Sequence, residues 1–352
     1  MAEPKSSGPA PKALTPAQWN ALIASYKGAD DRRSVRQLVI SALGFFGMWA
    51  LMYASLQVHY ALTLLLAFPT AGFLMRLFMI QHDCGHGSFF TSRRARDIVG
   101  FCIGVLTLVP YQYWRRTHAI HHAHSGDLDF RGFGDVTTKT VSEYLSMTPG
   151  QRWYYRFYRN PLVMLGIGPT VLFVIKHRYP WDIPRDWTQA WRSVWWTNAA
   201  LAAVIVGMSL LVGWQAFLLV QVPITMFAGT MGVYLFYVQH QFEDTYWHRH
   251  DDWNYYDATI HGSSHLVLPK PLQWITANIG LHHVHHLSAL IPNYKLEDAH
   301  EGVPQLQQAT QIRLRDSWRL LRLTLWDEEQ QRLIGFRDLK HRRTETPEAM
   351  AA

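Results

Sequence analysis

Four stretches of the chain stay apolar for long enough to cross a bilayer: Leu38–Leu56, Ala61–Ile80, Val194–Trp214 and Ala216–Val238. A hydrocarbon core of about 30 Å takes roughly 20 helical residues, and each stretch meets that length. Gln57–Tyr60 separates the first two, and little more than Gln215 separates the last two. Such short links pair the four into two hairpins. Trp195, Trp196 and Trp214 bracket the third stretch, as anchors at the headgroup level do.

The rest of the pattern is broken into shorter pieces. Ile98–Tyr111 is too short to span and ends at Pro110, which predicts an interfacial or re-entrant segment. Arg152–Tyr158 mixes arginine with aromatic residues, and Pro161–Ile175 is interrupted by Gly166, Gly168 and Pro169. Both are expected to lie on the bilayer surface. At the N-terminal end, residues 1–16 read as a disordered leader and Thr15–Tyr26 as a short capped helix. Val303–Gly335 spaces its leucines and arginines as an amphipathic helix does, and the tail after Lys340 is expected to be disordered. The predicted division is a leader with a short helix over 1–37, a membrane domain over 38–300, and a C-terminal amphipathic helix and tail over 301–352. The expected fold is an all-α integral membrane protein, with four transmembrane helices as two hairpins and a helical cap.

Charge sets the expected orientation. The net charge of +7 would suit a nucleic-acid binder, but four spans exclude a soluble one. The two short turns hold no Lys or Arg; apart from Arg76, the basic residues fall before the first span, within 81–193, or after residue 238. By the positive-inside rule, both termini and the cap face the cytoplasm, with a bacterial inner membrane as the expected location. Arg76, four residues from the end of its span, is expected to snorkel to the headgroups. The first 35 residues are polar and charged, which argues against a cleaved secretory signal. Two cysteines, Cys84 and Cys102, are too few for a disulfide framework or a four-cysteine cluster.

Beside the membrane exits lie three histidine clusters. They are His82 and His86 in QHDCGH, His118, His121 and His122 in THAIHHAH, and His282, His285 and His286 in GLHHVHHL. The spacing is i, i+4 or i, i+3, i+4, which puts the rings on one face of a helix with Cβ atoms about 5–6 Å apart. His240 sits at the exit of the fourth span in FYVQHQFED. Nine neutral imidazoles provide four or five ligands to each of two transition metals. Structural zinc needs only four ligands and favours thiolates, so the ligand count argues for a dinuclear redox site. Cys84, between His82 and His86, is expected to point away from their shared face. Asp83, Asp127, Asp129 and Glu243 are candidates to orient rings by hydrogen bonds, with solvated loop charge as the plain alternative. His59, His177, His300 and His341 read as surface or satisfied core residues.

These strings resemble the membrane fatty acid desaturases over roughly residues 38–300. The resemblance rests on HDCGHGSFF (82–90), WRRTHAIHHAHSGDLD (114–129), FYVQHQFED (236–244) and LPKPLQWITANIGLHHVHHLSALIPNYKL (268–296). It is strongest to bacterial and cyanobacterial acyl-lipid enzymes that act at the Δ12 (omega-6) position. It implies two irons held by His82, His86, His118, His121, His122, His282, His285 and His286, with His240 as a ninth ligand. It implies O2 as co-substrate, a lipid acyl chain as substrate, and desaturation by the di-iron centre. His124 and His283 are extra to the pattern. Asn278, one turn before His282, is expected either to reach metal through a water or to pack.

Because the chain carries no HPGG haem string, no cysteine cluster and no convincing dinucleotide loop, electrons are expected from a separate donor, ferredoxin-like or cytochrome b5-like. Arg93, Arg94, Arg96, Arg115, Arg116, Arg313, Arg315, Arg319 and Arg322 would attract such an acidic partner or, equally, anionic headgroups. Histidine spacing leaves two other readings open. One is a di-iron hydroxylase or ketolase acting on lipids or carotenoids. The other is a membrane metal transporter or sensor, which the sparse polar content of the spans (Gln221, Thr225, Arg76) argues against.

Overall fold

The computed structural model describes residues 14–132, 134 and 136–339. Most of the leader, the tail from Lys340 and His341 therefore lie outside the described residues. Thr15 caps α1 (Pro16–Ile23) through a reciprocal box with Gln18, and one tighter turn carries it to Tyr26. Four long helices follow the predicted spans. They are α2 (Asp31–Ser55) and α3 (Tyr60–His86), then, after the intervening helices, α9 (Thr188–Val212) and α10 (Trp214–His240). Each is long and apolar enough to cross a membrane. Asp30 caps α2 and His59 caps α3, both through side chains that accept backbone N–H bonds.

α3 is the central span. It packs on α2, α10 and α4 (Arg93–Leu106), and 61% of its most apolar window is buried against 22% for α2. That explains a departure from expectation at Arg76. This side chain is buried, donates to the Trp274 carbonyl and lies 4.0 Å from the Trp274 ring centroid, rather than reaching for headgroups. α9 is mostly open at its surface, and Trp195, Trp196 and Trp214 are exposed as interfacial anchors would be.

Between the hairpins, α4 ends at Leu106, a turn with Leu108 at φ 61° follows, and Pro110 opens α5 (Tyr111–His124). After α6 (Val141–Ser146) and α7 (Pro149–Tyr158) comes α8 (Val163–Lys176), a widened helix bent 62° from α7. α7 exposes Trp153, Tyr154 and Phe157. α8 packs on α10, with Pro169 and Phe173 closing over Gly229 and Thr230 bonding the Leu165 carbonyl. Together the bent pair is long enough to be a broken span or a re-entrant loop.

Beyond α10 come α11 (Tyr255–His261), α12 (Lys270–Ile275), α13 (His282–Leu287) and α14 (Leu296–Gly302). The amphipathic helix expected over 303–335 does not form. The segment instead makes a short helical turn at Pro304–Gln308, strand β3 (Gln311–Arg313), short helical turns over Leu314–Arg322, and the hairpin β4 (Leu325–Asp327) and β5 (Arg332–Ile334). β3 pairs in parallel with β2 (His265–Val267), and β4 with β1 (Lys139–Thr140). Leu323, Leu325 and Trp326 are all buried, so this segment is enclosed on both faces rather than along one helical stripe. Arg159, fully buried, donates to the Thr137 and Leu323 carbonyls and to the Tyr237 hydroxyl, tying this segment to α10.

Candidate metal centre

Four helices deliver the nine histidines. α3 carries His82 and His86 in its last two turns, and ends because Gly87 takes φ 83° and returns its N–H to the Asp83 and Cys84 carbonyls. α5 carries His118, His121 and His122; α10 ends on His240; α13 carries His282, His285 and His286. The rings form two adjacent groups. One is His82, His86, His118, His122 and His285, and the other is His121, His240, His282 and His286. Within each, one nitrogen per ring lies within 4.8 Å of all the others.

Helix geometry accounts for the sorting. On α5 the i, i+4 pair His118 and His122 joins the five-membered group, while His121 reaches the other. On α13 the pair His282 and His286 joins the four-membered group and His285 crosses over. Residues four apart lie 40° apart around a helix, and the one at i+3 lies 60° to the other side of the first. Each helix thus feeds both groups, and the His122 and His286 rings stack across the divide at 4.1 Å.

The nitrogens stand at a metal's coordination edge. Nε2 of His240 is 3.2 Å from Nε2 of His121 and 2.9 Å from that of His282. Nε2 of His122 is 3.1 Å from that of His118 and 3.0 Å from that of His285. With metal–nitrogen bonds of about 2.1 Å, ligands at right angles are about 3.0 Å apart. Nε2 of His86 and of His286 is buried and has no hydrogen-bond partner among the described residues. Burial foremost, then neighbouring rings, hold His118, His122, His282, His285 and His286 well below the ordinary imidazole range. Such rings are neutral at pH 7, the state in which imidazole binds metal. The donor set fits a pair of transition metals.

The surrounding contacts divide the other expected residues. Nδ1 of His82 donates to Asp83, at 2.9 Å, and Nδ1 of His240 to the Gly262 carbonyl, at 3.0 Å. Asp127 does not orient a clustered ring. It is fully buried and accepts from His250 Nδ1 at 2.7 Å, because the chain turns away after α5. Asp129 pairs with Arg249 and the His250 backbone at the surface. Glu243 is exposed and meets Leu333 only through its backbone carbonyl. Asn278 lies in a turn at φ 60°, not on α13, and gives its amide to the Asn293 carbonyl. His283 bonds His300 at 3.1 Å, and His124 stacks on Phe130. His177 meets the Leu108 carbonyl, and Cys84 packs in the apolar core around α3.

Sequence reasoning passed over three contributors. Trp114 stacks on His118 with centroids 4.3 Å apart, and Gly85 makes room for it, since a Cβ there would come within 3.0 Å of the indole. Its i, i+4 spacing from His118 is a readable signal. The Gly262 carbonyl and Asn293 give none, because their roles depend on chain folding from far away.

A helical bundle with four membrane-length spans that gathers nine histidines into two adjacent groups, each able to hold a metal ion, has the framework of a membrane metalloprotein. Residues 58–318 match the Fatty acid desaturase family. The chain is 45% identical over 324 residues to a fatty acid desaturase of Bacillus subtilis, covering 92% of each chain. It is 31% identical to the sn-1 acyl-lipid omega-3 desaturase (ferredoxin) of Synechocystis, covering 64% of this chain and 63% of that one. To a chloroplastic omega-3 fatty acid desaturase of Glycine max it is 29% identical, over 78% of this chain and 60% of the relative. The chain belongs to the fatty acid desaturase family and is an oxidoreductase.

Proposed function

We propose that the chain introduces a double bond into a fatty acyl chain held in membrane lipid, at the Δ12 (omega-6) position, consuming O2 and using two irons held by the nine histidines. The observation that carries this reading is the division of nine rings, seven buried and two half-buried, into two groups of five and four. Iron bound there supplies the oxidising power that removal of hydrogen from an unactivated methylene requires and that no side chain possesses. The chain's own residues do the rest. The helices fix the ligand nitrogens, burial keeps the rings neutral, and apolar surroundings keep water from the reacting carbons.

A groove at membrane depth suits such a substrate. Leu74, Met75 and Phe78 of α3 and Ala228, Gly229 and Gly232 of α10 line it. Phe78, one turn before His82, also lines it and touches Trp114, which stacks on His118. No histidine of the metal groups lines the groove, so an acyl chain seated there would extend past Phe78 and Trp114 to bring its reacting carbons to the metals. The names of the plant and cyanobacterial relatives favour omega-3 as the second reading of position.

Electrons come from a separate ferredoxin-like donor. Support is the exposure of Arg93, Arg94, Arg116, Arg313, Arg315, Arg319 and Arg322 around the cap, while Arg96 is spent on the Phe90 and Thr91 carbonyls. The cap and both termini face the cytoplasm, because the turns at Leu56–His59 and Gly213 carry no Lys or Arg. Expression in a desaturase-deficient host followed by mass spectrometry of its lipids tests the reaction. A new diene with its second bond at the omega-6 position is expected. An omega-3 product moves the position, a hydroxylated chain replaces the reaction class, and no change in the lipids refutes the substrate. Cysteines introduced at Val58 and Gln215 should react with impermeant reagent from the periplasmic side alone.

A further inference from the structure

α2 gives no histidine to the centre, yet it buries Ser34, Gln37 and Ser41 along one face. Ser41 satisfies itself on the Gln37 carbonyl and Ser34 reaches the Phe89 carbonyl. Gln37 reaches toward the metal groups instead: its Nε2 donates to Oδ1 of Asn293 at 2.9 Å. Asn293 is 2% exposed and uses every polar atom it has. Its Nδ2 and its backbone N–H both donate to Oδ2 of Asp83, at 2.8 and 2.7 Å, and its carbonyl accepts from Asn278 at 2.9 Å. The other oxygen of Asp83 accepts from Nδ1 of His82.

Asp83 is itself buried, and no Lys or Arg pairs with it among the described residues. A buried carboxylate without a cation is costly unless its lone pairs are filled. Asn293 fills one oxygen twice over, and so leaves the other aimed at His82. We infer that Asn293 is a positioning residue for the metal centre: through Asp83 it fixes the ring of His82, and through Gln37 it ties that ring to α2. This rests on the metal-centre reading above.

The residue type follows from the geometry. Alanine keeps only the backbone donor, aspartate sets two carboxylates face to face, and glutamine carries its amide one carbon too far. The two groups are then unequal. His82, in the five-membered group, is backed by a carboxylate, which raises the donor strength of its Nε2. His240, in the four-membered group, is backed by the neutral Gly262 carbonyl.

The test is titration of Co2+ into the metal-stripped, full-length protein, read as the affinity of each binding step and the visible absorption of the loaded protein. For Asn293→Ala, one of the two steps should weaken by about 10- to 100-fold with an altered spectrum, the usual cost of losing such support. The other step should keep its wild-type affinity. Gln37→Met should weaken the same step by less, and the double variant should be no worse than Asn293→Ala, because both act along one path. Wild-type affinities and spectra in both single variants overturn the inference, as does equal weakening of both steps. If Asn293→Ala does not fold, Gln37→Met decides alone on the same criteria. A wild-type protein that binds no Co2+ overturns the metal-centre reading and this inference with it, so the two failures are told apart.

Discussion

His121 and His285 each stand inside an i, i+4 pair on their helix and reach the group that the pair does not join. Each is thus the one ring its helix contributes to that group. Replacing either by alanine should remove a ligand, abolish turnover and lower the metal bound per chain. His59→Asn should leave both unchanged, because His59 caps α3 at the far end and asparagine caps as well. Metal analysis and product formation on the same preparations decide the point; normal turnover in His121→Ala contradicts the assignment. Eight of the rings were legible in the sequence because helical spacing puts them on shared faces, and His240 because it ends the fourth span. Asp83 was legible too, being bonded to its own neighbour. Asp127, Asp129 and Glu243 lie as close to the clusters along the chain, but the chain turns there and they face elsewhere. Asn293 was illegible for a different reason: its partners Gln37 and Asp83 are 256 and 210 positions away.

Among the elements, the long helices follow from length and hydropathy, and the structure extends them beyond the apolar runs. α2 begins at Asp31 and α3 ends at His86, because polar ends outside the hydrocarbon layer can still be helical. The C-terminal segment was misread since leucines mixed with arginines satisfy a helical and an alternating pattern alike. Its strand partners β1 and β2 lie far away in the chain, where no local signal points. The groove between α3, α8 and α10 belongs to this scale as well. Gly232 lines it, and a Cβ there meets nothing within 4 Å. Gly232→Phe should therefore fold, bind metal as before and narrow the groove. Its turnover on long acyl chains should fall at least tenfold while shorter chains suffer less. An unchanged chain-length profile would remove the groove from the substrate's path.

For the molecule as a whole, the buried rings make acid the main threat. The imidazoles of His118, His122, His282, His285 and His286 are held below their ordinary value by burial. Below about pH 6.5 the unfolded chain takes up protons on these rings that the folded chain does not. Folding stability therefore falls as pH falls through that value, and is insensitive to these groups above it. Metal loss runs the same way, since protons compete for the same nitrogens. Melting temperature and metal content measured from pH 8 to pH 5 should decline together; a protein indifferent to pH across that range contradicts the burial of neutral rings. The most direct test of the whole account is the number of transition-metal ions per folded chain, counted by elemental mass spectrometry after anaerobic loading with Fe2+. The account predicts about two, as nine histidines in groups of five and four require. One ion or none in a fully folded, fully loaded protein would contradict it.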